Sequence, residues 1–177
     1  MEKKIEDYLG FIKSRKSVRD FIFEKIEKEK INEILECGRW APSGLNNQPW
    51  KVNVVNHPTI KRMVAENTKY SAIVEGAYYN LVIFLDKKKG YNRVKDIQSI
   101  GAFIENILLG AHALNLGAVW IGEILNKKEK MNEIFKLKEE DYELMGVVAI
   151  GVEEKTKKNS GTDERKRETV ENFTEWY

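Results

Sequence analysis

The chain has 177 residues and a mass of 20.6 kDa, with 42% hydrophobic residues, so it is long and apolar enough to bury the core of one domain and is not disordered as a whole. Thirty basic residues against 28 acidic leave a net charge of only +2, which removes any general case for a nucleic-acid partner. Cys37 is the sole cysteine, so an intrachain disulfide and a thiolate metal cluster are both excluded, and a reducing cytoplasm fits.

The opening MEKKIEDYLGFIKSRK lacks the apolar core and small-residue cleavage site of a signal peptide and reads as mature protein. Within it, Ile5, Tyr8, Leu9 and Ile12 fall at helical spacing and predict an amphipathic helix to about Ser14. A second helix starts near Glu27, turns Ile31, Ile34, Leu35 and Gly38 inward, and ends before Pro42, whose ring biases the preceding residue away from helix. Cys37 falls on the inward stretch of that helix and is expected as a buried structural thiol. After a loop, Trp50, Val52 and Val54 alternate with Lys51 and Asn53 as a half-exposed strand.

Pro58 and Thr59 open a short helix carrying Ile60, Met63 and Val64. Leu81–Leu85 is apolar without alternation and predicts a strand covered on both faces. From Ile97 to Leu116 the apolar period continues on two faces, so a helix buried nearly all round is expected. The apolar stretch 101–125 is interrupted by Glu105, Asn106, His112, Asn115 and Glu123 and reads as core, with no membrane span. Strands at Ala118–Ile121 and Leu144–Val152 follow, separated by a surface helix with Met131, Ile134 and Phe135 inside. No linker divides the chain, so 1–177 is expected to be one domain, of the α+β class.

Four places carry polar chemistry. Arg15, Lys16, Ser17 and Arg19 offer cations and a hydroxyl suited to a phosphate; the competing reading is a solvated turn whose cations complement a helix C-terminus. The loop Ala41-Pro42-Ser43-Gly44-Leu45-Asn46-Asn47-Gln48-Pro49-Trp50 is stiffened by prolines, and its glycine lets a ligand approach the backbone. Its amides match the edge of a uracil-like ring, although turn formers alone account for the composition. Gly122 and Glu123 follow a strand, where a backbone N–H meets a ring nitrogen or the glycine simply terminates the strand. Arg165, Lys166 and Arg167 lie in a stretch where 11 of the 16 residues 153–168 are charged. Val170, Phe173, Trp176 and Tyr177 then give that tail apolar anchors, so it is expected to pack on the body or on a second subunit. No glycine-rich phosphate loop occurs, and two isolated histidines suggest no metal site.

RKSVRDF, APSGLNNQPW, ENILLGAHALNLGAVWIGE and RKR, in that order, resemble the FMN-dependent nitroreductase family over nearly the whole chain. The resemblance implies a central, mainly antiparallel sheet flanked by helices, and a homodimer with FMN at two interface sites. The C-terminal tail would pack on the partner. It implies that Arg15, Lys16 and Ser17 bind the phosphate and ribityl chain, that Arg19 lies near the pyrimidine edge, and that Arg165 and Arg167 close on the phosphate. Pro42, Ser43, Gly44 and Asn46, with Gln48 in the same loop, would reach the neighbouring subunit's flavin, and the backbone at Gly122 and Glu123 would face N5. The flavin carries the chemistry, so no catalytic side chain is expected. NADH or NADPH would reduce it, and a nitroaromatic, quinone or other small acceptor would then take the electrons at the same place. A flavin-binding protein without turnover, or a dehalogenase or flavin-degrading enzyme of the same fold, is the alternative. Glu123 stands where many members carry a second glycine.

Overall fold

The computed structural model describes residues 2–156 and 166–177. In chain order it contains α1 (Glu2–Ser14), β1 (Phe21–Ile22), α2 (Lys28–Arg39), β2 (Trp50–Val55), α3 (Pro58–Ala65), α4 (Ser71–Gly76), β3 (Tyr79–Asp86), α5 (Arg93–Ala113), β4 (Gly117–Ile121), α6 (Lys128–Phe135) and β5 (Tyr142–Glu153). The sheet is antiparallel, in the order β1-β5-β3-β2, with β4 also paired to β5. The α+β class and antiparallel sheet expected from the sequence are present.

Two layers of side chains sandwich that sheet. Leu81, Ile83 and Leu85 of β3 join Ile31 and Ile34 of α2 and Phe103, Ile104 and Ile107 of α5 on one side. Val82 and Phe84 join Val64, Val74 and Met131 from α3, α4 and α6 on the other. With both faces covered, every residue from Tyr79 to Leu85 is buried, as an unbroken apolar strand requires. In β5 the inward parity switches: Leu144 and Val147 share one layer, Met145 and Val148 the other. The register shift between Ile83 and Phe84 inserts the extra residue, and Gly146, at φ 147°, takes the conformation that the bulge needs. The Trp120 indole lies against Gly146, its Nε1 standing 2.5 Å from where a Cβ would be.

α2 reaches α5 because Gly38 presents no Cβ; one there would stand 2.8 Å from Phe103 Cε2. α5 starts a turn earlier than its apolar period, where Asn92 Oδ1 accepts the Lys95 N–H at 3.2 Å. It stops at Ala113 rather than Leu116 because Asn115 adopts a left-handed φ of 57°.

Three expectations are corrected. Cys37 is exposed: it lies one residue before Gly38, at the rim of the buried stripe, beside the α5 residue Gly110. Val54 is exposed and Val55 buried, because Val55 turns into the layer formed with α3 and α4. α5 is not buried all round: Val94, Glu105 and Ala113 are exposed and Gly101 faces open space, since nothing among the described residues covers that side.

Candidate functional site

Residues 15–20 leave α1 and cross the end of the sheet. Ser17 bridges Ala118 at the start of β4, the Val18 N–H donates to the Ala118 carbonyl at 3.0 Å, and the Glu154 N–H donates to the Asp20 carbonyl at 3.0 Å. Buried Val18 takes the space above Gly117, so the backbone here is nailed to the strand. The side chains diverge from it. Arg15 Nε lies 3.4 Å from Glu105 on α5, and Lys16 Nζ lies 2.6 Å from Glu153 on β5. Exposed Arg19 donates to the Ser17 carbonyl at 3.4 Å. A cavity of about 220 Å³ opens beside them, with Lys16, His112, Ala118 and Glu153 in its wall. His112 is held by the Ser14 hydroxyl at 2.8 Å and by the Phe11 ring, 4.9 Å away between centroids.

At the far end of β4, about 13 Å away at the usual strand rise, Gly122 is exposed with open space where a side chain would be. Glu123 points elsewhere. Its carboxylate accepts the Lys69 N–H at 3.0 Å and the Thr68 hydroxyl at 2.8 Å, and these bonds, the Lys69 amide first, hold its carboxyl below the ordinary carboxylate range. The half-exposed Trp120 borders the same strand end. A single aromatic in an apolar strand reads as core, so residue type alone does not single it out; its indole lies against Gly146 at the bulge.

The Pro42–Gln48 loop is a different kind of construction. Leu45, Asn46 and Gln48 have φ values of 54°, 55° and 48°, a concentration of left-handed non-glycine residues that costs energy and clusters at functional sites. The loop is held by the Ser43 hydroxyl, which accepts the Gln48 N–H at 3.0 Å, and by Gln48 Nε2 donating to Asn46 at 3.3 Å. Asn47 Nδ2 donates to the Lys89 carbonyl at 3.0 Å and to Asp96 at 2.8 Å. Pro42 and Leu45 are exposed. The close approach expected at Gly44 is taken by a protein group, the Tyr91 phenol.

α5 separates the two constructions. The loop is fastened to Asp96 in its first turns, whereas Arg15 and Ser14 meet Glu105 and His112 toward its other end. From Asp96 to His112 the helix rises about 24 Å. One chain therefore brings Ser17, Arg19 and the Gly122 end onto β4 but leaves Pro42, Ser43, Gly44, Asn46 and Gln48 apart from them. Arg167 is exposed and donates to the Lys166 carbonyl at 3.2 Å; Arg165 lies outside the described residues. Phe173 and Trp176 are 68% and 93% exposed, so the tail's anchors find no cover on the described body. Among the described residues no cluster of three or more His, Cys, Asp or Glu is placed to hold a metal, and no helix is long and apolar enough to cross a membrane.

The sequence matches the model of the Nitroreductase family over residues 12–69 and 59–152. A protein of Archaeoglobus fulgidus with a provisional NADH dehydrogenase/NAD(P)H nitroreductase assignment is 30% identical over 164 residues, 91% of this chain and 94% of its own. A provisionally assigned nitroreductase of Desulfovibrio desulfuricans, solved in complex with FMN, superposes with a TM-score of 0.86 at 36% identity, covering 96% of each chain. The FMN-dependent nitroreductase of Clostridium difficile R20291 superposes at 0.75 with 26% identity, over 92% of this chain and 98% of that one.

Proposed function

The chain belongs to the nitroreductase family, and from that membership we propose that it is a cytoplasmic, homodimeric FMN-dependent oxidoreductase passing electrons from NAD(P)H to a nitroaromatic, a quinone or another small acceptor. The observation that carries this reading is the separation along α5: the Pro42–Gln48 loop is fastened at Asp96, whereas Arg15 meets Glu105 and Ser14 meets His112, about 14 and 24 Å farther along the helix. A site that uses both ends takes one from each of two copies. The α1 residues Tyr8, Leu9 and Ile12 and the tail residues Phe173 and Trp176 are exposed apolar groups in need of that second copy. In this reading the whole of 1–177 works as one flavin-binding unit.

The β4 strip fits an elongated ligand with a charged end and a flat end. Cations and the Ser17 hydroxyl stand at one end, and Gly122 stands bare at the other. Arg15, Lys16 and Ser17 would hold the phosphate, with Arg165 and Arg167 of the tail closing on it, and Glu105 and Glu153 yielding their cations to the stronger anion. Arg19 would lie at the pyrimidine edge, and the backbone N–H groups at Gly122 and Glu123 would orient N5. Because the Glu123 carboxylate is engaged by Thr68 and Lys69, it adds no free acid beside the ring. Pro42, Ser43, Gly44, Asn46 and Gln48 would come from the partner. When bound, FMN supplies the hydride and electron chemistry, while the protein contributes position and charge. Donor and acceptor would use the same face in turn, an alternating mechanism that calls for no protein acid or base.

The visible spectrum of the purified protein tests this directly. Flavin bands that bleach with NADH or NADPH under anaerobic conditions and return on adding a quinone are the expected result. Failure to hold FMN after reconstitution, or flavin that neither nicotinamide bleaches, overturns the proposal.

A further inference from the structure

The turn bearing Pro42, Ser43 and Gly44 forms one wall of a cavity of about 270 Å³; the start of α5, with Tyr91, Lys95 and Gln98, forms the other. Among the described residues that line it, Lys95 is the sole charged group. No ion pair engages its ammonium among the described residues. It stands 5.4 Å from the centre of the Tyr91 ring, a cation held beside an aromatic surface that remains 45% exposed. The contrast with Arg15, Lys16, Arg93 and Lys128 is plain, since each of those faces a carboxylate.

Both walls are fixed before any ligand arrives. Asp96, only 2% exposed, accepts the Tyr91 and Asn92 N–H groups at 3.0 Å each on one oxygen and Asn47 Nδ2 at 2.8 Å on the other. One buried carboxylate thus ties the Tyr91 segment to the Pro42–Gln48 loop. It does not line the cavity, and its oxygens are taken up by N–H donors from Tyr91, Asn92 and Asn47 rather than by the Lys95 ammonium. A preorganised concave wall offering an aromatic face and one unpaired ammonium matches a flat ring that carries an anionic group.

We infer that Tyr91 and Lys95 form the acceptor-selecting wall of the partner subunit's flavin site, and that they favour a planar aromatic acceptor bearing a carboxylate or equivalent anion. The inference rests on the proposed function, which sets this loop against the flavin of the second copy. The ring of the acceptor would rest on Tyr91 and its anion on Lys95.

The test uses the full chain loaded with FMN. Benzoate and benzamide, which share a ring and differ in charge, are titrated calorimetrically against the oxidised wild type, Lys95→Gln and Lys95→Glu. The kcat/KM ratio for 4-nitrobenzoate over nitrobenzene is measured with NADH. The wild type should prefer benzoate by roughly tenfold, the scale of one charge-assisted contact. Lys95→Gln should erase that preference and lower the kcat/KM ratio by about the same factor, and Lys95→Glu should reverse the preference. Tyr91→Leu should weaken both ligands together. A wild type that holds FMN and oxidises NADH but whose preference ignores residue 95 overturns this inference alone. Absence of flavin, read from the absorption spectrum before any titration, overturns the proposed function and the inference with it.

Discussion

α1 and α2 carry the same kind of apolar stripe and meet opposite fates. In α2, Ile31 and Ile34 are at most 2% exposed, because Gly38 lets the helix close on Phe103. In α1, Tyr8, Leu9 and Ile12 are 58%, 49% and 55% exposed, and the helix is pinned through Phe11 and Ser14 to His112. Spacing specifies which face of a helix is apolar; it does not specify which surface receives that face. In α2 the pattern becomes core because Gly38 opens the helix's own flank to Phe103 and Ile107 of α5.

Loss of the α2–α5 packing has the largest expected effect. Phe103→Ala removes the ring packed under Gly38 and stacked 4.8 Å from Trp50; a loss of roughly 3–5 kcal/mol in urea unfolding is expected. Ile12→Asp probes the other stripe. It should weaken self-association by about 2 kcal/mol or more, read by sedimentation equilibrium, with far-UV circular dichroism unchanged. A monomer–dimer equilibrium indifferent to Ile12 would mean that α1 is not covered by a second copy. Gly38→Ala sharpens the contrast by forcing a Cβ to within 2.8 Å of the Phe103 ring, at a cost of about 1–3 kcal/mol. A methyl at Gly10, which has open space around it, should leave stability unchanged or slightly improved.

Electrostatics separates the same two regions. Glu143 sits at the well-packed end, where β5 meets α5 and α6, and accepts Arg93 Nη2 and Lys128 Nζ at 2.8 Å each. Arg93 chiefly, helped by Lys128 and opposed by burial, lowers its carboxyl from an ordinary 4.5 to about 2. The stabilisation is complete above pH 4.5 and is lost as the pH falls toward 2. With the exposed arginine screened by solvent, about 1 kcal/mol is at stake, and Glu143→Gln should flatten that part of the acid limb of a stability profile.

What was legible in the sequence follows the same division. The unbroken run Leu81–Leu85 and the two-faced period of α5 betrayed a sandwiched strand and the helix over it. β1 has only two residues and α4 only six, too short for periodicity to register. The rim position of Cys37 depended on Gly110 of another helix, which no local pattern contains. At the site, Ser17 joins β4 through a backbone bridge that any side chain would permit, so its address could not be read from residue type. The polar loop was legible as unusual, but its Tyr91 neighbour and Asp96 anchor come from more than 40 residues downstream.

Glu123 gives the smallest expected effect and the most local test. Its carboxylate fastens the turn after α3 to the end of β4 through Lys69 and Thr68. Glu123→Ala should raise hydrogen exchange at the Lys69 amide severalfold, while Glu123→Gln, which keeps an acceptor, should largely restore protection. Lowering the pH through and below the ordinary carboxylate range should loosen the same turn in the wild type and not in Glu123→Gln, because the lowered carboxyl stabilises only while ionised. If Glu123 instead faced the flavin, Glu123→Gln would shift the reduction potential of the bound cofactor and leave the Lys69 amide untouched. The engagement of both carboxylate bonds with the 68–69 turn argues for the first outcome, in which a residue beside the site acts on the loop rather than on the ring.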